Sequence, residues 1–303
     1  MRLTSFQRLA LWTTATTYFL ILVGGLVRAS GAGLGCPDWP RCFGSWIPPA
    51  SAAELPPQFD PALFNPALMW TEYLNRLLGV TVGFLILATT ISAWRHHRRD
   101  PRILWTTIAA FVLVGFEGWL GGRVVAHELA AWIVTAHLIV AIVIVQLLLY
   151  ATVESRAPAA GGRPTAEGGA AIGLIVITLV QAALGTQVRG TIEDALNAGV
   201  ARDLALGTVG RLDYLHRDLA FIVLMGATVL TLWLLSRRSP LVSWSFVVLG
   251  LAVAQIALGM VMAYVSLLPA AQVGHLTLAS LALGAETVLW LLSRRPSATT
   301  CAA

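Results

Sequence analysis

The chain has 303 residues, of which 57% are hydrophobic and 12% charged, and its mean hydropathy is +0.76. Soluble domains carry about 25% charged residues, so a water-soluble enzyme or regulatory domain is excluded and an all-α polytopic membrane protein is expected. All 20 basic residues are arginines and the formal charge is +5; they are dispersed at the ends of apolar runs, which leaves no basic face for nucleic acid.

Arg2 and Arg8 precede an apolar run that predicts a first helix over 9–28, longer than the core of a secretory signal and therefore retained. A Gly- and Pro-rich loop over 29–69 carries Cys36, Trp39, Cys42 and Trp46. Helices are predicted over 72–94, 103–122 and 130–152, followed by a Gly-, Ala- and Pro-containing linker over 155–169. The remainder predicts helices over 170–189, 214–236, 241–265 and 270–293, with Glu193, Asp194, Arg202 and Asp203 in a loop between the first two. A span needs about 20 apolar residues, so eight fit the length. The arginines cluster at the N-terminus, after every second span (Arg95 to Arg102, Arg156 and Arg163, Arg237-Arg238) and at Arg294-Arg295. The positive-inside rule then puts both termini in the cytoplasm and the 29–69 loop outside. The first helix begins within about ten residues of Met1, which leaves little room for a mitochondrial targeting segment and points to a bacterial plasma membrane.

The chain reads as built twice. Val27-Arg28 and Val188-Arg189 end the first and fifth spans, and Glu72 to Arg76 matches Asp213 to Arg217 at an offset of 141 (213 − 72). Leu120-Gly121 matches Leu258-Gly259, and Ala136-His137-Leu138 matches Gly274-His275-Leu276, at an offset of 138 (275 − 137). Two parallel-repeat four-helix bundles follow: residues 1–154, a linker over 155–169, and residues 170–303.

His96 and His97 fall in a charged loop and read as solvated, and His127 falls in a short outside loop. His137, His216 and His275 each lie in the first two turns of a helix entering from outside, at similar depth. Two imidazoles from different helices at one depth are what axial ligation of a haem requires, and His216 with His275 meets this within the second half. The alternative is a pair bonded to neighbouring helix carbonyls. Arg217 and Arg76 sit where a guanidinium either snorkels to water or holds haem propionates. Asp213 and Glu72 precede His216 and Asn75 by three, on the same helix faces. Asp213 is a candidate to orient an imidazole or to bind a polar loop, whereas Glu72, with no imidazole above it, is read as a carboxylate facing an open pocket and able to move protons or bond an intermediate. Asn75 stands where the second half has His216, so a haem on His137 would keep one position open, which suits a reacting haem. Cys36 and Cys42 lie where an oxidising compartment permits a disulfide, either stapling the loop or passing electrons. Cys301 reads as a free thiol.

These residues resemble the haem A synthases of the CtaA/COX15 family over nearly the whole chain. The resemblance is carried by Gly33-Leu34-Gly35-Cys36-Pro37-Asp38-Trp39-Pro40 with Cys42, by Glu72 with Asn75-Arg76-Leu77, and by His137, His216-Arg217 and His275. It implies an eight-helix enzyme that oxidises a methyl group of haem O to the formyl group of haem A for terminal oxidases. It further implies haem b on His216 and His275, with Arg217 beside it, and substrate haem O near His137, Asn75 and Arg76. Glu72 matches the acidic catalytic residue of the family and Cys36/Cys42 its disulfide. Implied partners are the lipid bilayer, a haem O synthase, and a quinone, quinol or other electron carrier. Asn75 departs from the family, where a fourth histidine is usual. A membrane b-type cytochrome that leaves haem unmodified, or a haem carrier, would use the same bundle.

Overall fold

The computed structural model describes residues 3–156 and 165–295, so Arg2, Arg163, most of the predicted linker and Cys301 lie outside the described residues. Nine α-helices occur among the described residues: α1 (Ser5–Ala29), α2 (Pro66–His97), α3 (Pro101–Ala126), α4 (Ala131–Glu154), α5 (Ala166–Asn197), α6 (Arg202–Ala205), α7 (Arg211–Ser236), α8 (Val242–Tyr264) and α9 (Pro269–Ser293). All but α6 are long and apolar enough to cross a membrane. The shortest, α8, has 23 residues, about 34 Å at 1.5 Å per residue, against a hydrocarbon thickness of about 30 Å. The outer surface is apolar: Phe84 is 66% exposed, Val112 64% and Met225 62%, which only lipid accommodates at this density. The chain is a multi-pass helical membrane protein.

Capping chemistry moves several helix ends away from the limits of the apolar runs. Helix α2 starts at 66 instead of 72, because the Asn65 side chain accepts the N–H groups of Ala67 and Leu68 and Pro66 occupies the first helical position. Asp100 and Pro101 start α3 in the same way, and Arg102 hydrogen-bonds the Asp100 carboxyl and holds it below the usual carboxylate range. Helix α5 runs to 197 instead of 189, so Glu193 and Asp194 lie on a helix and not in a loop. The reason is charge pairing: Arg189 and Glu193, four residues apart, meet at 2.7 Å, and Arg28 of α1 reaches the other Glu193 oxygen at 2.6 Å.

Helix α2 packs on α1 and α3, α3 on α4, and α4 on α1; α5 packs on α7 and α9, α7 on α8, and α8 on α9. The two groups meet where α9 lies against α1 and α4, and α4 against α5. In α9, 67% of the core window is buried, against 11–39% in the other spans, so α9 is the central helix. Its small residues allow this approach: Ala279, Ser280, Ala282 and Ala285 are buried, and Gly284 leaves the space that the Tyr18 hydroxyl fills. At the end bearing the 30–65 loop, Arg189 also bonds Gln272, Gln187 donates to Thr135 at 2.6 Å, and Thr135 bonds Thr186. These polar contacts lock the two groups together there.

Candidate functional site

His216 of α7 and His275 of α9 face each other with ring centres 6.4 Å apart and planes at 62°. Two imidazoles bound to one iron from opposite sides, at roughly 2 Å per bond, have ring centres about 6.3 Å apart. Glycines open the space around them. A Cβ on Gly185 would lie 2.9 Å from His216 Cε1, and one on Gly259 would lie 3.6 Å from His275 Cε1. His216 Nδ1 faces the Gln181 backbone carbonyl at 3.2 Å, and Nε2 lies 3.4 Å from the Gln181 side-chain amide, a contact that a ligand bond at Nε2 would replace. Nδ1 of His275 and Oε1 of Gln255 are buried without partners. Helix spacing and unpaired polar atoms both fit a haem held between these rings. Asp213 does not orient His216: it pairs with Arg217 at 2.7 Å, the better partner one turn along the same helix. Arg217 also donates to the Tyr264 hydroxyl at 3.1 Å.

In the first group of helices His137 has a different neighbour. Its Nδ1 lies 3.2 Å from Oε1 of Glu117 on α3, off the line of a hydrogen bond. Both Glu117 oxygens, His137 Nδ1 and Asn75 Oδ1 are buried without hydrogen-bond partners. A Cβ on Gly121 would lie 3.5 Å from His137 Cε1, the same relation as in the second group. His127 stands apart, its Nδ1 on the Arg123 carbonyl and its ring edge-on to Trp132 at the exposed end of α3.

The loop over 30–65 is a folded cap on this first group. Cys36 and Cys42 form a disulfide and are buried with Phe43 and Met69. Trp39 lies on Gly122, where a Cβ would come within 2.7 Å of the indole, beside the glycine that faces His137. Glu72 and Arg76 tie this cap to α2, and here the geometry corrects the sequence expectation. Glu72 is 4% exposed and faces no open pocket. One of its oxygens accepts the Cys36 N–H at 2.7 Å and the other accepts from Arg76 at 3.1 Å. Arg76 donates to the Cys36, Asp38 and Arg41 carbonyls and twice to Glu72. All five donors of its guanidinium are thereby used, leaving none for a haem propionate.

Two glutamates with unpaired buried oxygens escaped the sequence reading. Glu117 is legible only by subtracting the repeat offset from Gln255 (255 − 138 = 117). Glu286, fully buried on α9, accepts from Thr178 at 2.8 Å and keeps its second oxygen unpaired. It lines a narrow, mostly apolar cavity that Thr178, Gln181 and Gln255 also reach, and stands about 16 Å along α9 from His275. An acid at that depth is costly unless it serves a function.

Fold and site together define a multi-pass membrane protein organised around intramembrane histidines, two of them spaced as axial haem ligands are. The chain belongs to the COX15-CtaA family of cytochrome oxidase assembly proteins, whose family model matches residues 7–287. It is 33% identical to the heme A synthase of Geobacillus kaustophilus over 124 residues, 41% of this chain and 34% of that protein. It is 29% identical to the heme A synthase of Shewanella oneidensis over 150 residues, covering 48% and 44% of the two chains. With the heme A synthase of Sphingopyxis alaskensis it shares 30% identity over 216 residues, 62% and 58% of the two chains. In each case the matched stretch spans less than two thirds of the relative's length.

Proposed function

We propose that the protein is a haem A synthase of a bacterial plasma membrane, converting a methyl group of haem O to the formyl group of haem A for terminal oxidase assembly. The observation that carries this reading is the His216–His275 pair, with ring centres 6.4 Å apart, in a chain whose family model extends over 7–287. The heme A synthases among its relatives support it.

In this reading the chain divides into residues 1–154, a linker over 155–169, and residues 170–303, as two parallel four-helix halves. The packing of α1 to α4 and of α5, α7, α8 and α9 supports this division. The arginines at alternate helix ends support cytoplasmic termini. His216 and His275 hold haem b, whose iron supplies one-electron chemistry when bound. Arg217 uses three N–H donors on Asp213 and Tyr264, which leaves two for haem propionates. His137 holds substrate haem O through one bond, and Asn75, with its free Oδ1, leaves the other face open. Such a site lets a haem enter, react and leave. Glu72 and Arg76 contribute by fixing the disulfide loop beside that site, where Trp39 packs on Gly122 next to the glycine that faces His137. A haem O synthase as donor and a quinone or other electron carrier as redox partner complete the assignment.

The reading is tested by expressing the protein in cells that make haem O and identifying extracted haems by chromatography and mass. Haem A or its hydroxylated precursor, absent from cells lacking the protein, is expected. Recovery of only b-type haem with unchanged haem O would contradict it.

A further inference from the structure

Three helices carry the same five-residue phrase: Glu117 to Gly121 on α3, Gln181 to Gly185 on α5, and Gln255 to Gly259 on α8. Each runs Glu or Gln, two variable residues, Leu, Gly. In each the glycine meets an imidazole, that of His137, His216 and His275 respectively, at Cβ-to-Cε1 distances of 3.5, 2.9 and 3.6 Å. One turn before the glycine, the Gln181 backbone carbonyl faces His216 Nδ1 and the Gln181 side-chain amide lies 3.4 Å from Nε2, whereas the Glu117 side-chain carboxylate lies 3.2 Å from His137 Nδ1. The fourth copy falls on α1, at the offset set by Val27 and Val188 (188 − 27 = 161), and reads Leu20 to Gly24. It belongs with Asn75, so where the imidazole is missing the polar residue is missing too. The polar position therefore goes with the histidine, and only at His137 is it an acid.

We propose that Glu117 is a positioning residue for the haem of the first half, anchoring His137 through Nδ1 and making its iron bond more electron-donating than those of His216 and His275. The proposal rests on the reading of residues 1–154 as a haem-holding half. Both Glu117 oxygens lack hydrogen-bond partners among the described residues, and His137 Nδ1 is the donor within reach. A carboxyl with both oxygens buried and unpaired is costly, and a hydrogen bond from His137 Nδ1 would relieve that cost. A ligating histidine that gives its second N–H to a carboxylate becomes a more basic ligand. Gln181 offers His216 a neutral carbonyl instead. The single-histidine iron of the first half is thereby biased toward its ferric form.

The test uses the purified full-length protein saturated with ferric haem b as probe, followed by a redox titration read by electron paramagnetic resonance. The two-histidine haem gives a low-spin signal and the one-histidine haem a high-spin signal, so each site reports separately. Glu117→Gln is expected to keep both haems and to raise the potential of the high-spin one. Each tenfold loss of ferric over ferrous preference reads as about 59 mV, and the low-spin potential stays unmoved. Glu117→Leu is expected to weaken high-spin haem binding about 10–100-fold, with the low-spin haem retained as the sign of a folded protein. An unchanged high-spin potential in Glu117→Gln, together with unchanged high-spin binding in Glu117→Leu, overturns the proposal. Absence of any high-spin haem in the unmodified protein instead overturns the first-half site itself, and is seen before any variant is made.

Discussion

Replacing His275 by alanine is expected to abolish the low-spin haem spectrum completely while the protein stays folded. The ring sits on the central helix, facing His216 across 6.4 Å, and its Nδ1 has no hydrogen-bond partner. Without it, an iron bound there would have His216 as its one imidazole ligand. His216→Ala should have the same effect, and the double variant should add nothing, because the two rings act as one unit. The helix bundle should survive, since the packing of α9 rests on Ala279, Ala282, Leu283 and Leu289 further along. Visible and paramagnetic spectra of the purified variants make the measurement. A low-spin signal of full intensity in both single variants would mean that the spacing of the rings is unrelated to haem.

Glu72→Ala is expected to destabilise the haem-free protein by about 3–5 kcal/mol, because it leaves the buried Arg76 guanidinium without its counter-charge. Arg76 is 15% exposed in its side chain and Glu72 5%. The variant also leaves the Cys36 N–H without its acceptor. The loop over 30–65 should then become protease-sensitive and the melting midpoint in detergent should fall. Glu72→Gln, which still accepts the Cys36 N–H, should lie between. If Glu72 were instead a proton-moving group with no structural part, Glu72→Ala would melt like the unmodified protein and lose only turnover.

The eight spans were legible because each is a continuous apolar run bounded by arginine or by turn residues, and length alone settles such a run. Their ends were not, since Asn65 capping α2 and the Arg189–Glu193 pair extending α5 depend on side-chain geometry that hydropathy does not carry. His216 and His275 could be paired because each falls in the first two turns of a helix that enters from the same side, which puts both rings at similar depth. Glu72 and Arg76 were placed on the correct helix face, yet their tie to the loop was not legible. It depends on three carbonyls, those of Cys36, Asp38 and Arg41, that only the folded loop brings to Arg76. Glu117 drew no attention in the sequence, because the residue that faces it, His137, lies on the next helix.

The most direct test of the central claim, that the two halves hold haem unequally, is the spin state of the purified protein saturated with ferric haem b. Equal amounts of low-spin and high-spin haem are expected. Asn75→His should turn all of it low-spin, since Gly24, at the α1 position equivalent to Gly185, has no atom within 4 Å of where a Cβ would stand. A wholly low-spin spectrum in the unmodified protein, or binding of a single haem, would contradict the account.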